Sequence, residues 1–196
     1  YYTGNSGAVG TDVPANSPYA IEGTHSYGRS NGTASVVSNA IDVSGFTNIS
    51  LSFRLASFSV GSTGNGADAF SNGDIINVEV SPDGGTTFYS TLRVAGNNNA
   101  TWGYTSGTGI ATTAYDGNAT PVDFSPTAGG ARTTDGYSTV RVTSLPVVSN
   151  LKIKISITNN AANERWVIDD FRLTGTTAIA CAGTPSTPSL SATITS

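Results

Sequence analysis

The chain has 196 residues and a formal net charge of −4, and only 11% of its residues are charged. So little basic charge excludes nucleic-acid binding, which demands a positive face. The only lysines, Lys152 and Lys154, cannot form the polybasic patch that holds a protein on an anionic membrane. With 23 Gly, abundant Ser, Thr and Asn, and few of the residues that favour helices, the composition points to strands.

Taken in order, the elements alternate with the period of a strand and nowhere with that of a helix. Ile49, Leu51, Phe53 and Leu55 form one inward-facing set, and Ile76, Val78 and Val80 form another. The turn Ser81-Pro82-Asp83-Gly84-Gly85 follows, leading to a partner strand around Phe88 to Val94. Between Val94 and Tyr137 lies a long segment without strong alternation. A segment of that length is expected to be functional or to contain short strands. Val140 and Val142 resume the pattern, and Leu151 to Ile157 continues it with Lys152 and Lys154 on the wet face. Asn159 to Asn163 turns the chain into a last strand from Trp166.

Strands separated by turns with no helices between them predict an all-β, antiparallel two-sheet jelly-roll sandwich. The domain is expected to occupy residues 1–175. Residues 176–196 contain Thr184-Pro185-Ser186-Thr187-Pro188-Ser189 and read as a linker, or as the start of a following module. The tail is also the expected contact with neighbouring modules or subunits. No apolar run is long enough to span a bilayer, and membrane insertion is not expected. The chain starts at Tyr1 and contains no Met, so a mature form that has lost a signal peptide is expected. Cys181 stands alone, without the Cys/His spacing of a zinc site. Secretion to the extracellular space or cell surface is the expected location.

The last strand carries the main chemical signal. In Trp166-Val167-Ile168-Asp169-Asp170-Phe171-Arg172-Leu173, strict alternation places Asp169 on the face of Val167, Phe171 and Leu173. A carboxylate there needs a metal, an ion pair or hydrogen bonds. Calcium, which collects carboxylate and carbonyl oxygens, is one answer. Capping of backbone N–H groups, or pairing with Arg172 or Arg29, is the other. Asp68, Asp74, Asp83, Asp116, Asp123 and Asp135 also sit in Gly/Asn-rich loops suited to calcium, although ordinary turn chemistry accounts for such aspartates as well.

Catalysis finds no support. His25 is the only histidine, Ser26 beside it does not make a relay, and no pair of carboxylates is marked out for glycoside hydrolysis. The glycines from Gly61 to Gly66 lack the Lys and helix of a phosphate loop. An enzyme is not expected. Trp102, Tyr104 and Tyr115 in the long segment are candidates for stacking on sugar rings; their alternative role is to pack that segment down.

The segments Ser81-Pro-Asp-Gly-Gly-Thr-Thr87, Thr134-Asp-Gly-Tyr-Ser-Thr-Val140 and Glu164 to Leu173 resemble a β-sandwich module of large secreted bacterial surface proteins. Such proteins are often exported by the type IX system. The resemblance covers most of residues 15–175. More distantly, Ile168-Asp169-Asp170-Phe171 is similar to the last-strand motif of galactose-binding-like, MAM-type and carbohydrate-binding jelly rolls. In several of those, the last-strand Asp joins an early acidic residue in a structural calcium site, and Ala20-Ile21-Glu22-Gly23 resembles that early position. The implied metal ligands are Glu22, Asp169 and Asp170. The resulting expectation is a non-catalytic extracellular binding or adhesion module, calcium-stabilised and taking a glycan or other cell-surface component. The alternative is a structural subunit or stalk module of an extracellular filament or surface assembly.

Overall fold

A computed structural model of the chain describes residues 2–5, 20–23, 26–61 and 64–178. Among these residues eleven strands run in chain order as β1 (Tyr2–Asn5), β2 (Tyr27–Arg29), β3 (Gly32–Ser38), β4 (Phe46–Ser59), β5 (Ile75–Ser81), β6 (Tyr89–Ala95), β7 (Gly109–Ala114), β8 (Val122–Phe124), β9 (Tyr137–Thr143), β10 (Lys152–Asn159) and β11 (Glu164–Thr177). A 3-10 turn, Phe70–Asn72, interrupts the β4–β5 connection.

The strands form two sheets, one of six strands in the order β1-β3-β10-β5-β6-β8 and one of five in the order β2-β11-β4-β9-β7. The alternating residues meet between them. Leu51, Leu55, Ile76, Val78, Val140 and Ile157 are all fully buried. Each such side chain contributes about 1.5–3 kcal/mol relative to exposure. The fold is the expected two-sheet sandwich.

Not every pairing is antiparallel, as had been expected. β8 runs parallel to β6, and β7 runs parallel to β9. The cause is topological. From β6 to β9 the chain changes sheet at every step, so each strand returns to its own sheet after passing through the other. That passage is the crossover a parallel pair requires. The long segment after Val94 therefore holds β7 and β8, two short strands.

The strand β11 also departs from strict alternation. Asp169 pairs with Arg54 and Arg172 pairs with Ser52, so Asp170 and Phe171 together oppose Phe53. This β-bulge turns on Asp170, whose φ is 50°, a left-handed conformation that Asp tolerates better than most residues. One extra residue reverses the alternation. Asp169 stays on the face of Val167, but Phe171 and Leu173 move to the inner face. Val167 itself packs with Ala56, Phe58 and Tyr104 in a small cluster separate from the main core.

Candidate functional site

The bulge shapes a cleft of about 630 Å³ between the sheets. Ile153 and Ile155 of β10 and Val36 of β3 form one wall; Phe53, Ile168 and Phe171 form the other. Ser38, Asn39, Asp42 and Asp170 contribute polar groups to its lining. Phe171 is 46% exposed, while the Phe53 ring beneath it is buried. The two rings stack with centroids 6.5 Å apart and planes 11° apart. An exposed aromatic face is thus backed by a fixed one.

The polar groups are oriented. Asp42 accepts hydrogen bonds from the Ser44 hydroxyl at 2.7 Å and the Ser44 N–H at 3.0 Å. Those bonds hold its carboxyl below the usual carboxylate range. Asp170 pairs with Arg172 at 2.5 Å, and the same guanidinium lies 3.5 Å from Glu22. The Arg172 pKa is raised, chiefly by the hydrogen bond to Asp170 and then by the charges of Asp170 and Glu22.

Asp169 is occupied by backbone. Its Oδ2 accepts the N–H groups of Ile21 at 2.7 Å and Glu22 at 3.1 Å, and its Oδ1 accepts that of Asp170 at 2.8 Å. The structure brings the Glu22 backbone to the Asp169 carboxylate and sets Arg172 against the carboxylates of Glu22 and Asp170. The three expected ligands thus meet backbone N–H groups and Arg172, and their carboxylate oxygens do not gather into one cluster. Residues 20–23 are thereby fastened to the last strand.

The expected sugar-stacking aromatics are not in this cleft, and their exposure has to be corrected. Trp102 is fully buried and Tyr104 is 5% exposed. Trp102 meets Trp166 edge-on, with centroids 5.3 Å apart. Burial, with the nearby charge of Asp169, raises the Tyr104 hydroxyl well above its ordinary pKa. Tyr115 is half-buried against the core, edge-on to Tyr89. The three rings pack the segment against other strands: Trp102 on Trp166 of β11, Tyr104 on Phe58 of β4 and Tyr115 on Tyr89 of β6. Phe171, Asn39 and Asp42 were missed by sequence reasoning. For Phe171 the only available signal is the Asp-Asp pair before it, a bulge site that shifts its face. His25 lies outside the described residues.

No family model matches the chain, and no curated protein matches it in sequence. Among solved structures, the chain is similar to a carbohydrate-binding module, TmCBM61, in complex with β-1,4-galactotriose. The identity is 16% and the TM-score 0.46, over 89% of this chain and 87% of that one. It is also similar to an exo-β-agarase at 11% identity and TM-score 0.40, covering 90% of this chain and 23% of that one. A third similarity is to the agarase AgWH50C, at 12% identity and TM-score 0.38, covering 89% of this chain and 24% of that one. The chain thus spans about a quarter of the length of these two agarases.

Proposed function

We propose that the chain is a non-catalytic extracellular binding or adhesion module whose cleft between the sheets takes a glycan. The observation that carries this reading is the half-exposed Phe171 ring, backed by Phe53, in a cleft that also presents Asp42, Asn39 and Asp170. A sugar ring has an apolar C–H face and a rim of hydroxyl groups. An aromatic surface suits the first, and fixed carboxylates with a neighbouring amide suit the second.

Asp42 fits a hydrogen-bond acceptor and not a general acid. A general acid for glycoside cleavage needs a raised pKa, whereas the bonds from Ser44 lower that of Asp42 and keep it an acceptor. Extracellular placement rests on the composition and on the resemblance to secreted modules.

The test is calorimetric titration of the full chain with neutral oligosaccharides, β-1,4-galactotriose among them. Phe171→Ala is expected to weaken binding about tenfold, roughly 1.4 kcal/mol, with the melting temperature little changed because the ring is already half-exposed. Absence of binding across a broad glycan array, or undiminished binding by Phe171→Ala, would overturn the reading.

A further inference from the structure

A second group of polar residues lies away from the cleft, where the β4–β5 connection meets the start of β11. Asp68 and Asp74 flank the 3-10 turn, and Glu164 is the first residue of β11. One carboxylate oxygen from each lies within 4.8 Å of the other two. Asp74 is fully buried and Glu164 is 5% exposed.

Each carboxylate meets at least one donor, Glu164 through the Ala161 N–H. Asp74 accepts the Asp68 N–H at 2.8 Å and the Asn160 N–H at 2.9 Å. Asp68 accepts the Asn99 N–H at 2.9 Å and the Asn72 amide at 3.2 Å. Glu164 differs: its Oε2 is buried and has no hydrogen-bond partner among the described residues. A buried, unpaired carboxylate oxygen is costly. Burial first, then the charge of Asp74 and a side-chain hydrogen bond with it, then the charge of Asp68, pushes the Glu164 carboxyl up to about 7, against the lowering effect of the Ala161 N–H. A site that assembles three acidic groups and leaves one oxygen unbonded needs positive charge or a proton to offset it.

We propose that Asp68, Asp74 and Glu164 bind a calcium ion that clamps the β4–β5 connection to the start of β11. All three side-chain donors are oxygen, with no imidazole or thiolate to favour zinc or copper. Calcium tolerates an irregular shell, completed by carbonyls and water, better than magnesium does. None of the three residues lines the cleft, so the ion is structural and independent of glycan binding. The location also differs from the one the last-strand motif suggests, at Glu22, Asp169 and Asp170.

The experiment strips the full chain with chelator, then follows calcium binding by calorimetry and stability by thermal unfolding. One ion per chain and a higher melting temperature are expected. Glu164→Gln should weaken binding at least a hundredfold and abolish the thermal response, while Asp169→Asn retains both. Asp74→Asn risks the fold, because Asp74 also holds two backbone N–H groups. Glu164→Gln removes charge from a group with an unbonded oxygen, and in chelator it should melt no lower than the parent. Failure of the parent chain to bind calcium would overturn the proposal and leave a proton shared among the carboxylates. Calcium binding that survives Glu164→Gln, or that is lost in Asp169→Asn, would overturn it too.

Discussion

Asp169 shows how a sequence can expose a need without revealing how it is met. An aspartate in an apolar last strand requires donors, and it finds three backbone N–H groups, two of them from residues 21 and 22. No residue type at those positions could have announced this, because a backbone donor has no sequence signature. Asp169→Ala is expected to destabilise the chain by about 0.5–1.5 kcal/mol, the net worth of hydrogen bonds whose donors reach water once the acceptor is gone. Asp169→Asn, which keeps one acceptor oxygen, should cost less. Denaturant unfolding of both variants measures the difference, and equal stability of Ala and wild type would refute the role. Asp83 in the β5–β6 turn was more legible, since Pro-Asp-Gly-Gly is turn chemistry. The Thr87 N–H and the Ser81 hydroxyl lower its carboxyl from 3.8 to about 2. A depressed folded-state pKa contributes stability above the unfolded value, and that contribution disappears as pH falls from about 3.8 through about 2. Amide exchange at Thr87 should accelerate in that window, and Asp83→Asn should remove the pH dependence.

Among the elements, β4, β5, β9 and β10 were legible because their inner faces carry large aliphatic or aromatic side chains at every second position, as in Ile49-Leu51-Phe53-Leu55. β7 and β8 were not. Gly109 to Ala114 has mostly small residues, and its Ile110 is exposed; β8 has three residues, with Val122 exposed. Alternation carries no signal when the outward residue is the larger one. The bulge in β11 was equally hidden, because Asp at φ 50° resembles any other strand aspartate until register is known. These weak strands place close backbone around Trp102. A Cβ at Gly136 would lie 2.3 Å from the Trp102 ring, and one at Gly107 would lie 2.7 Å from it. Trp102 is fully buried against Trp166 and cannot swing into solvent without emptying part of the core. Gly136→Ala is therefore expected to destabilise the protein by about 1–3 kcal/mol, the usual cost of overpacking. A melting curve indistinguishable from wild type would show that the indole has room to move.

At the scale of the molecule, β11 goes on pairing past Gly175, where the change in composition places the end of the domain. In the structure Thr176 pairs with Thr47, Thr177 pairs with Phe46, and the Ala178 N–H donates to the Gly45 carbonyl at 2.9 Å. Composition does not signal these pairings, because Thr-Thr-Ala serves equally well in a strand or a linker. Residues 179–196, including the Pro/Thr/Ser stretch and the alternating Leu190 to Thr195, lie outside the described residues. Two truncations separate the roles of these parts. Removing residues 176–196 strips two strand pairs from the end of β11 and is expected to lower the melting temperature. Removing only residues 179–196 leaves every described pairing intact and should leave the temperature unchanged. A large fall in the second variant would place the tail in the folding unit. The same pair tests the alternative role as a structural subunit through self-association. If a strand of the tail completes a neighbour's sheet edge, size-exclusion chromatography of the full chain will show concentration-dependent assembly that the 179–196 deletion abolishes. A module that works alone through its cleft remains monomeric in both forms and keeps its glycan affinity.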